Sequence, residues 1–183
     1  MTKKAKALFL DRDGVINHEK SGSYIFNEQE FKFYEGAVQA IVKASQIFDY
    51  VIVVTNQRGI GRGLMSVADL ESIHQFMVKE VELAGGKIDS IYYAPASDRS
   101  DYLRKPNVGM GLQAQQDYPD IDFRKSVMIG NNISDMQFGK TLGMKTVFLY
   151  TTQAKIDTPH PLIDEQFESL KKWSEQDIAL TPK

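Results

Sequence analysis

The chain contains no cysteine among its 183 residues, which excludes disulfide bonds and thiolate metal sites. It lacks any apolar run near the roughly 20 residues of a membrane-spanning helix. The basic start of the chain leads into only a short apolar stretch, which does not resemble a signal peptide. We therefore expect a cytoplasmic protein without a membrane partner. The formal net charge is only −2, and a balance of this kind predicts no nucleic-acid partner.

The composition is that of an ordinary folded domain, with 42% hydrophobic and 25% charged residues. A chain of this length is long enough to bury a sizeable core. We find no repeat and no low-complexity linker. The sequence therefore predicts one domain over residues 1–183, with a core at about 5–150 and a C-terminal extension at 151–183. Phe167, Leu170 and Trp173 are predicted to hold that extension against the core.

Short apolar runs alternate along the chain with stretches of helical periodicity. The runs predict strands over residues 7–10, 51–55, 88–93, 126–129 and 146–149. The periodic stretches predict helices over residues 36–48, 66–84, 108–117 and 133–142. Strands that alternate with helices indicate an α/β fold with a parallel sheet and right-handed crossovers. The connection over residues 17–35 is too short for a cap domain and is expected to cover the rim of the active site.

Two aspartates, Asp11 and Asp13, follow directly on the first predicted strand. Open α/β sheets bind their ligands at the carboxyl edge, where this strand ends. One carboxylate of such a pair can act as a nucleophile while the other transfers protons. Taken alone, Asp-x-Asp is also compatible with a surface turn.

The second predicted strand ends at Thr55, and the glycines of the following loop stand at 59, 61 and 63. A hydroxyl and free backbone N–H groups at this place can bind an oxyanion such as phosphate. Arg58 and Arg62 add positive charge nearby, although either could be a solvated surface arginine. A plain turn is the alternative for the loop.

Two further motifs carry a lysine and a possible cation site. Lys105 precedes Pro106, which restrains it to an extended conformation, so its ammonium could neutralise a nucleophile and a phosphate. The alternative is a solvated loop cation.

The fourth predicted strand leads into Asn131 and Asp135, whose oxygens could bind Mg²⁺. An asparagine here could equally cap the following helix.

The four motifs in this order resemble the haloacid dehalogenase superfamily, and most closely its heptose 1,7-bisphosphate 7-phosphatases and histidinol-phosphate phosphatases. The resemblance covers residues 5–150. It is carried by Asp-Arg-Asp-Gly-Val-Ile-Asn, Val-Val-Thr-Asn-Gln-x-Gly-Ile-x-Arg-Gly, Ile-Tyr-Tyr-x-Pro and Arg-Lys-Pro-x-x-Gly-Met. It implies a three-layer Rossmann-like sheet with helices on both faces and no large cap domain.

The resemblance also implies roles for particular residues. Asp11 would be the nucleophile, Asp13 the proton donor and acceptor, and Thr55 and Lys105 the ligands of the phosphoryl group. The implied Mg²⁺ ligands are Asp11, the Asp13 carbonyl, Asn131 and Asp135. The implied substrate-contacting residues are Ser23, Tyr24, Asn56, Gln57, Arg104 and Asn132.

The chain departs from the family pattern at three places. The cysteines and histidine of the family's zinc loop align with Ala94, Ala96, Asp101 and Leu103, so no zinc is expected. Asn131 stands where the family usually has an aspartate, and we expect weaker metal binding from the lost charge. Asn132 stands where the heptose phosphatases usually have lysine, which removes a cation near the substrate.

The expected function is a Mg²⁺-dependent phosphatase of a small phosphorylated sugar, foremost D-glycero-D-manno-heptose 1,7-bisphosphate. The mechanism would pass through an aspartyl-phosphate, and the expected state is a monomer. Alternatives are a phosphatase of histidinol phosphate or another small phosphomonoester, and a metal-impaired relative that only binds phosphosugars. A nucleic-acid end phosphatase agrees with the superfamily but not with the charge.

Overall fold

Six parallel strands form one sheet at the centre of the computed structural model, which describes residues 4–176. Residues 177–183 of the predicted extension lie outside this described part. The strands run in the order β3-β2-β1-β4-β5-β6. They are β1 (Ala7–Leu10), β2 (Tyr50–Asn56), β3 (Ser90–Ala94), β4 (Val127–Gly130), β5 (Lys145–Leu149) and β6 (Glu165–Phe167).

Helices cover both faces of this sheet. They are α1 (Ala37–Ile47), α2 (Arg58–Gly61), α3 (Val67–Leu83), α4 (Gly109–Asp117), α5 (Ile133–Leu142) and α6 (Leu170–Glu175). Two short 3-10 helices span Glu28–Glu30 and Phe123–Lys125. The predicted three-layer α/β architecture is confirmed.

The four inner strands, β1, β2, β4 and β5, are almost continuously apolar because both of their faces are buried. Side chains alternate between the two faces along each strand. In β1, Leu8 and Leu10 face the layer that contains α1, α3 and α6, whereas Phe9 faces the layer that contains α4 and α5. All three are fully buried. The sheet is therefore packed between two apolar layers, and only its edges offer room for polar chemistry.

The predicted strands and helices are all present, with ends displaced by at most two residues. A capping box starts α3, since Ser66 accepts a hydrogen bond from the Asp69 N–H while the Asp69 carboxylate accepts one from the Ser66 N–H. The sequence prediction missed the short helices α2 and α6 and the strand β6. That strand has three residues, two of them polar, and lies at the edge of the sheet, so it carries no apolar run.

The C-terminal extension packs against the core as predicted. Leu170 and Trp173 are buried, and the Trp173 ring lies 6.4 Å from the Phe48 ring at the end of α1. Phe167 is partly buried against the same cluster. No helix within residues 4–176 is long and apolar enough to cross a membrane.

The order of the strands decides where a ligand can bind. The chain builds outward from β1 through β2 to β3, then returns to add β4 on the other side of β1. Loops therefore diverge at the carboxyl ends of β1 and β4 and leave a crevice. The long connection after β1 runs along this crevice.

Candidate active site

A pocket of about 550 Å³ opens at the carboxyl ends of β1, β2 and β4. Of the predicted site residues, all of which the structure describes, only Asn131 is missing from its lining. The others are Asp11, Asp13, Ser23, Tyr24, Thr55, Asn56, Gln57, Arg104, Lys105, Asn132 and Asp135. The connection over residues 17–35 contributes residues 19–25 to one wall, which confirms its predicted place at the rim.

Lys105 lies at the centre of the site and is almost fully buried. Its Nζ contacts Asp11 Oδ1 at 3.0 Å and Asp135 Oδ1 at 2.7 Å. The ammonium also donates a hydrogen bond to the Val54 carbonyl at 2.7 Å. All three of its N–H groups can therefore be used. Lys105 ties together the ends of β1, β2 and the helix that follows β4.

Burial and charge set the protonation of this cluster. Burial raises the pKa of Asp11 to about 7, aided by the nearby Asp135 and Asp13 carboxylates and opposed by Lys105. The pKa of Lys105 is raised: burial opposes this, but Asp11 and Asp135 outweigh it. The ammonium is therefore charged at neutral pH, and it supports the ionised, nucleophilic form of Asp11.

Asp13 lines the same pocket, and its carboxylate accepts hydrogen bonds from several side chains. Arg12 donates hydrogen bonds to both of its carboxylate oxygens at 2.9 Å. Asn17 donates to Oδ1 at 2.9 Å, and Gln57 donates to Oδ2 at 2.8 Å. Burial favours a higher pKa for Asp13, but Arg12 and these hydrogen bonds outweigh it and lower the pKa. The carboxylate is thus ionised and fixed in orientation, and it can accept a proton from water.

The residues after β2 connect these two halves. Gln57 donates to Thr55 Oγ1 at 2.9 Å as well as to Asp13. The Asn56 amide brackets the main chain of Lys105, accepting from its N–H at 3.0 Å and donating to its carbonyl at 3.2 Å. Both residues line the pocket, yet their amide groups serve mainly to position Thr55, Asp13 and Lys105.

The fourth motif combines helix capping with charge pairing. Asp135 Oδ1 contacts Lys105, while Oδ2 accepts the N–H groups of Asn131 at 3.2 Å and Asn132 at 3.0 Å. Asn132 is the residue that precedes α5, so the predicted helix N-terminus is confirmed. A carboxylate at this position also interacts favourably with the helix dipole.

Asn131 is fully buried behind the wall of the pocket. Its Nδ2 donates to Thr152 Oγ1 at 2.9 Å, and its Oδ1 accepts from Asn132 Nδ2 at 3.1 Å. Gly14 is packed against it: a Cβ at Gly14, whose φ is 84°, would lie 2.0 Å from Asn131 Nδ2. Thr152, in the loop after β5, and Gly14 therefore hold Asn131 in place at the position where the family usually has an aspartate.

The available donors are carboxylate, amide and carbonyl oxygens, which suit a hard cation such as Mg²⁺. Within residues 4–176, no group of three or more His, Cys, Asp or Glu side chains is placed to hold a metal ion. Asp11 and Asp135 share Lys105 instead. A cation at this edge would thus share Asp11 and Asp135 with Lys105 and would otherwise depend on neutral oxygens, namely the Asn131 amide and the Asp13 carbonyl.

Arginines form the outer end of the pocket. Arg58, Arg62 and Arg104 line it, and none of them forms an ion pair with the part of the chain that the structure describes. The pKa of Arg104 is lowered, first by its partial burial and then by repulsion from Arg58, Arg99 and Arg62. An anionic group of a ligand would relieve this repulsion.

Sequence reasoning missed several residues that shape the site. Arg12 is fully buried between Asp13 and His74, although an arginine between two aspartates resembles a surface charge. Asn17 contacts Asp13 four residues earlier, and Thr152 contacts Asn131 from 21 positions further along the chain. The single available signal was Arg12's position at the end of a buried strand, where a large charged residue needs a partner.

Comparisons with known proteins agree with this geometry. A family model described as polynucleotide kinase 3 phosphatase matches residues 6–170. A D-glycero-alpha-D-manno-heptose-1,7-bisphosphate 7-phosphatase of Campylobacter jejuni is 36% identical over 180 residues, covering 96% of this chain and 99% of that protein. The beta-anomer phosphatase of Escherichia coli is 32% identical over 190 residues, covering 100% of this chain and 95% of that protein.

A solved structure supports the same grouping. The D,D-heptose 1,7-bisphosphate phosphatase from B. bronchiseptica, complexed with magnesium and phosphate, superimposes with a TM-score of 0.80. It is 28% identical, and the match covers 93% of this chain and 96% of that chain.

Proposed function

This chain belongs to the polynucleotide kinase 3 phosphatase family, in the haloacid dehalogenase superfamily, and we propose that it removes a phosphate from a heptose bisphosphate through an aspartyl-phosphate. The observation that carries the reaction type is the buried Asp11–Lys105–Asp135 cluster, with Asp13 in the same pocket. It places a nucleophile, a charge-neutralising cation and a proton-transferring group around one space.

The first step transfers the phosphoryl group to the enzyme. A carboxylate oxygen of Asp11 attacks phosphorus, and the bond between phosphorus and the sugar oxygen breaks. The leaving alkoxide takes a proton from Asp13. The Asp13 carboxylate is ionised in the free enzyme and would gain this proton when the anionic ester binds beside it, because a nearby like charge raises its pKa. Lys105 and Thr55 hold the phosphoryl oxygens as charge develops on them. The dense hydrogen bonding around Asp13 fixes its direction toward the leaving oxygen.

The second step returns the enzyme to its starting state. Asp13, now ionised, removes a proton from a water molecule. The resulting hydroxide attacks phosphorus, the bond to the Asp11 oxygen breaks, and inorganic phosphate leaves. The low pKa of Asp13 means that it releases its proton readily in the first step, while Arg12 keeps it oriented for the second.

Mg²⁺ is the proposed cofactor. Asp11, the Asp13 carbonyl, Asn131 and Asp135 would hold it, and when bound it would neutralise phosphate charge and orient the ester. The donor chemistry supports this proposal, and a relative binds magnesium and phosphate together. The neutral Asn131 in place of a carboxylate predicts weaker binding.

The proposed substrate is D-glycero-D-manno-heptose 1,7-bisphosphate, with the 7-phosphate removed. The names of the relatives support it. The arginines at the outer end would bind the second phosphate of a bisphosphate, because the proposed phosphoryl site is at the inner end near Asp11 and Lys105. Ser23 and Tyr24 line the wall between and are the proposed sugar contacts, together with Asn132.

The test is phosphate release from both anomers of the bisphosphate across a Mg²⁺ titration, with product identification by NMR. We expect metal-dependent release of the 7-phosphate, and a loss on the order of 10⁴-fold or more in Asp11→Asn, because the nucleophile acts as part of a unit. Histidinol phosphate and a 3′-phosphorylated DNA oligonucleotide are the competing substrates. Preference for either one would refute the sugar assignment, and binding without turnover would refute catalysis.

A further inference from the structure

One buried contact connects the proton-transferring carboxylate to a helix on the far side of the site. Arg12 lies just after β1 and is fully buried. Its Nη2 donates to Asp13, while its Nη1 lies 3.2 Å from Nε2 of His74 on α3. His74 is 8% exposed and lines a shallow groove between α3 and β3, outside the catalytic pocket.

In the hydrogen bond between Arg12 and His74, only Arg12 can be the donor. A guanidinium has donors and no acceptor, so Nε2 of His74 must accept and the imidazole must be neutral with its proton on Nδ1. Burial lowers the pKa of His74 to about 3, and Arg12 adds to this effect. His74 therefore accepts from Arg12 at every physiological pH.

On the side away from Asp13, the contacts recorded for the Arg12 guanidinium within residues 4–176 are those with His74 and the Phe31 ring. The Phe31 ring lies 6.0 Å from its guanidinium carbon, which is a weak orientation-dependent contact at this distance. The His74 acceptor is the hydrogen-bond partner that fixes the rotation of the guanidinium away from Asp13. A guanidinium that turned would present a different pair of N–H groups to Asp13 and rotate its carboxylate.

We propose that His74 is a positioning residue for the proton transfer by Asp13, acting through Arg12. The inference rests on the proposed function, in which Asp13 protonates the leaving sugar oxygen. It assigns a catalytic consequence to a histidine on α3 that lies outside the pocket.

The experiment compares two esters that differ in their need for an acid. An alkyl phosphate, the heptose bisphosphate, has a poor leaving group that must be protonated. An aryl phosphate, p-nitrophenyl phosphate, has a leaving group that departs without a proton. In His74→Leu we expect kcat/KM, which reports only the steps up to phosphoryl transfer to Asp11, to fall at least about 10-fold for the alkyl ester, out of the roughly 10²–10⁴-fold that a general acid supplies. The loss in kcat/KM for the aryl ester should stay below about 3-fold, since that leaving group needs no acid. The comparison uses kcat/KM because Asp13 would act as the base of the second step for both esters.

Two variants separate positioning from simple packing. His74→Gln keeps an acceptor at the end of its side chain and should restore most of the alkyl-ester rate. Gln75→Leu changes an exposed neighbour in the same groove and should leave both rates unchanged. If His74→Leu does not fold, His74→Met makes the same comparison, because its thioether is only a weak acceptor.

Each outcome decides the inference. Equal losses on the two esters, or no recovery in His74→Gln, would show a structural role alone and overturn it. An unchanged alkyl-ester rate in His74→Leu would also overturn it, while the activity of the unmodified chain and its loss in Asp11→Asn would leave the proposed function standing. A chain that hydrolysed neither ester would refute the proposed function and this inference together.

Discussion

At the scale of single residues, the site depends on one buried cation shared by two carboxylates. Lys105 contacts Asp11 and Asp135 at 3.0 and 2.7 Å, and all three side chains are buried. Charges in such a place must be paired, because an uncompensated buried charge is costly. The same pairing would prepare Asp11, the proposed nucleophile, so we expect both the stability of the fold and the activity to depend on Lys105.

Lys105→Met tests this pairing. It leaves two buried carboxylates without their cation, and we expect a loss of about 3–5 kcal/mol in the free energy of unfolding, together with loss of turnover. Urea denaturation at pH 7 measures the stability. Lys140→Met is the matched control, since it breaks a more exposed pair with Asp164 and should cost less than about 1 kcal/mol. Similar costs for the two variants would contradict the central role of Lys105.

Asn131→Asp tests whether a negatively charged ligand at residue 131 strengthens Mg²⁺ binding. The added carboxylate should tighten Mg²⁺ binding about 10-fold, on the scale of one charge-assisted interaction, and the Thr152 hydroxyl can donate to it in place of accepting from the amide. Isothermal titration calorimetry measures the affinity directly. The unmodified chain should need Mg²⁺ well above the low micromolar range for half-maximal activity. Unchanged or weaker binding in the variant would exclude residue 131 as a ligand.

At the scale of elements, the N-termini of α5 and α3 differ in function, since only the first is connected to the pocket. The carboxylate that caps α5 also pairs with Lys105, so Asp135 fixes the direction of the helix and the lysine together. The start of α3 carries a capping box with no link to the pocket. Comparing the two ends therefore separates the energy of capping from the chemistry of the site.

Ser66→Ala tests the capping energy of α3 alone. It removes the hydroxyl that accepts from the Asp69 N–H and should lower the free energy of unfolding by about 1 kcal/mol. Phosphatase activity should not change, because Ser66 lies outside the pocket lining. Ser100→Ala removes a hydroxyl from a surface turn and should cost less. Denaturant titration of both variants gives the comparison, and an activity loss in Ser66→Ala would argue against this separation.

At the scale of the whole molecule, α3 and the end of β1 are joined by Arg12 and His74, so the stability of the fold is linked to pH. The folded protein keeps His74 neutral down to about pH 3, whereas an unfolded chain protonates it near 6.5. The unfolded state then binds more protons between these values. The stabilising contribution is fully present above pH 6.5 and is lost progressively as the pH falls toward 3.

His74→Gln tests this linkage, because glutamine does not titrate. Between pH 7 and pH 5 the unmodified chain should lose about 2 kcal/mol of unfolding free energy that the variant retains. Urea denaturation of both proteins at the two pH values measures the difference. Equal pH dependence would mean that His74 titrates normally in the folded protein.

Local pattern was enough to predict much of this protein. The alternation of apolar runs with helical periodicity predicts the strands, the helices and the three layers, because burial on both faces leaves a clear trace in the residues themselves. Asp11, Asp13, Thr55 and Lys105 were predicted from their places at the ends of strands and before Pro106. Parallel strands bring their carboxyl ends to one edge, so Asp11, Asp13 and Thr55 had to meet there. Lys105 lies in the loop between β3 and α4 and joins them through its contacts with Asp11 and the Val54 carbonyl.

Only the tertiary structure decided how those residues are held. The partners of Arg12 are Asp13, its neighbour in sequence, and His74, which is 62 positions away; no local pattern predicts the second. Asn131 is likewise fixed by Thr152, 21 positions on. The sequence by itself determined the fold and the set of candidate reacting groups, because these follow from local periodicity and strand ends. Their orientation and their pKa values depend on burial and on charges from distant segments, which exist only once the chain has folded.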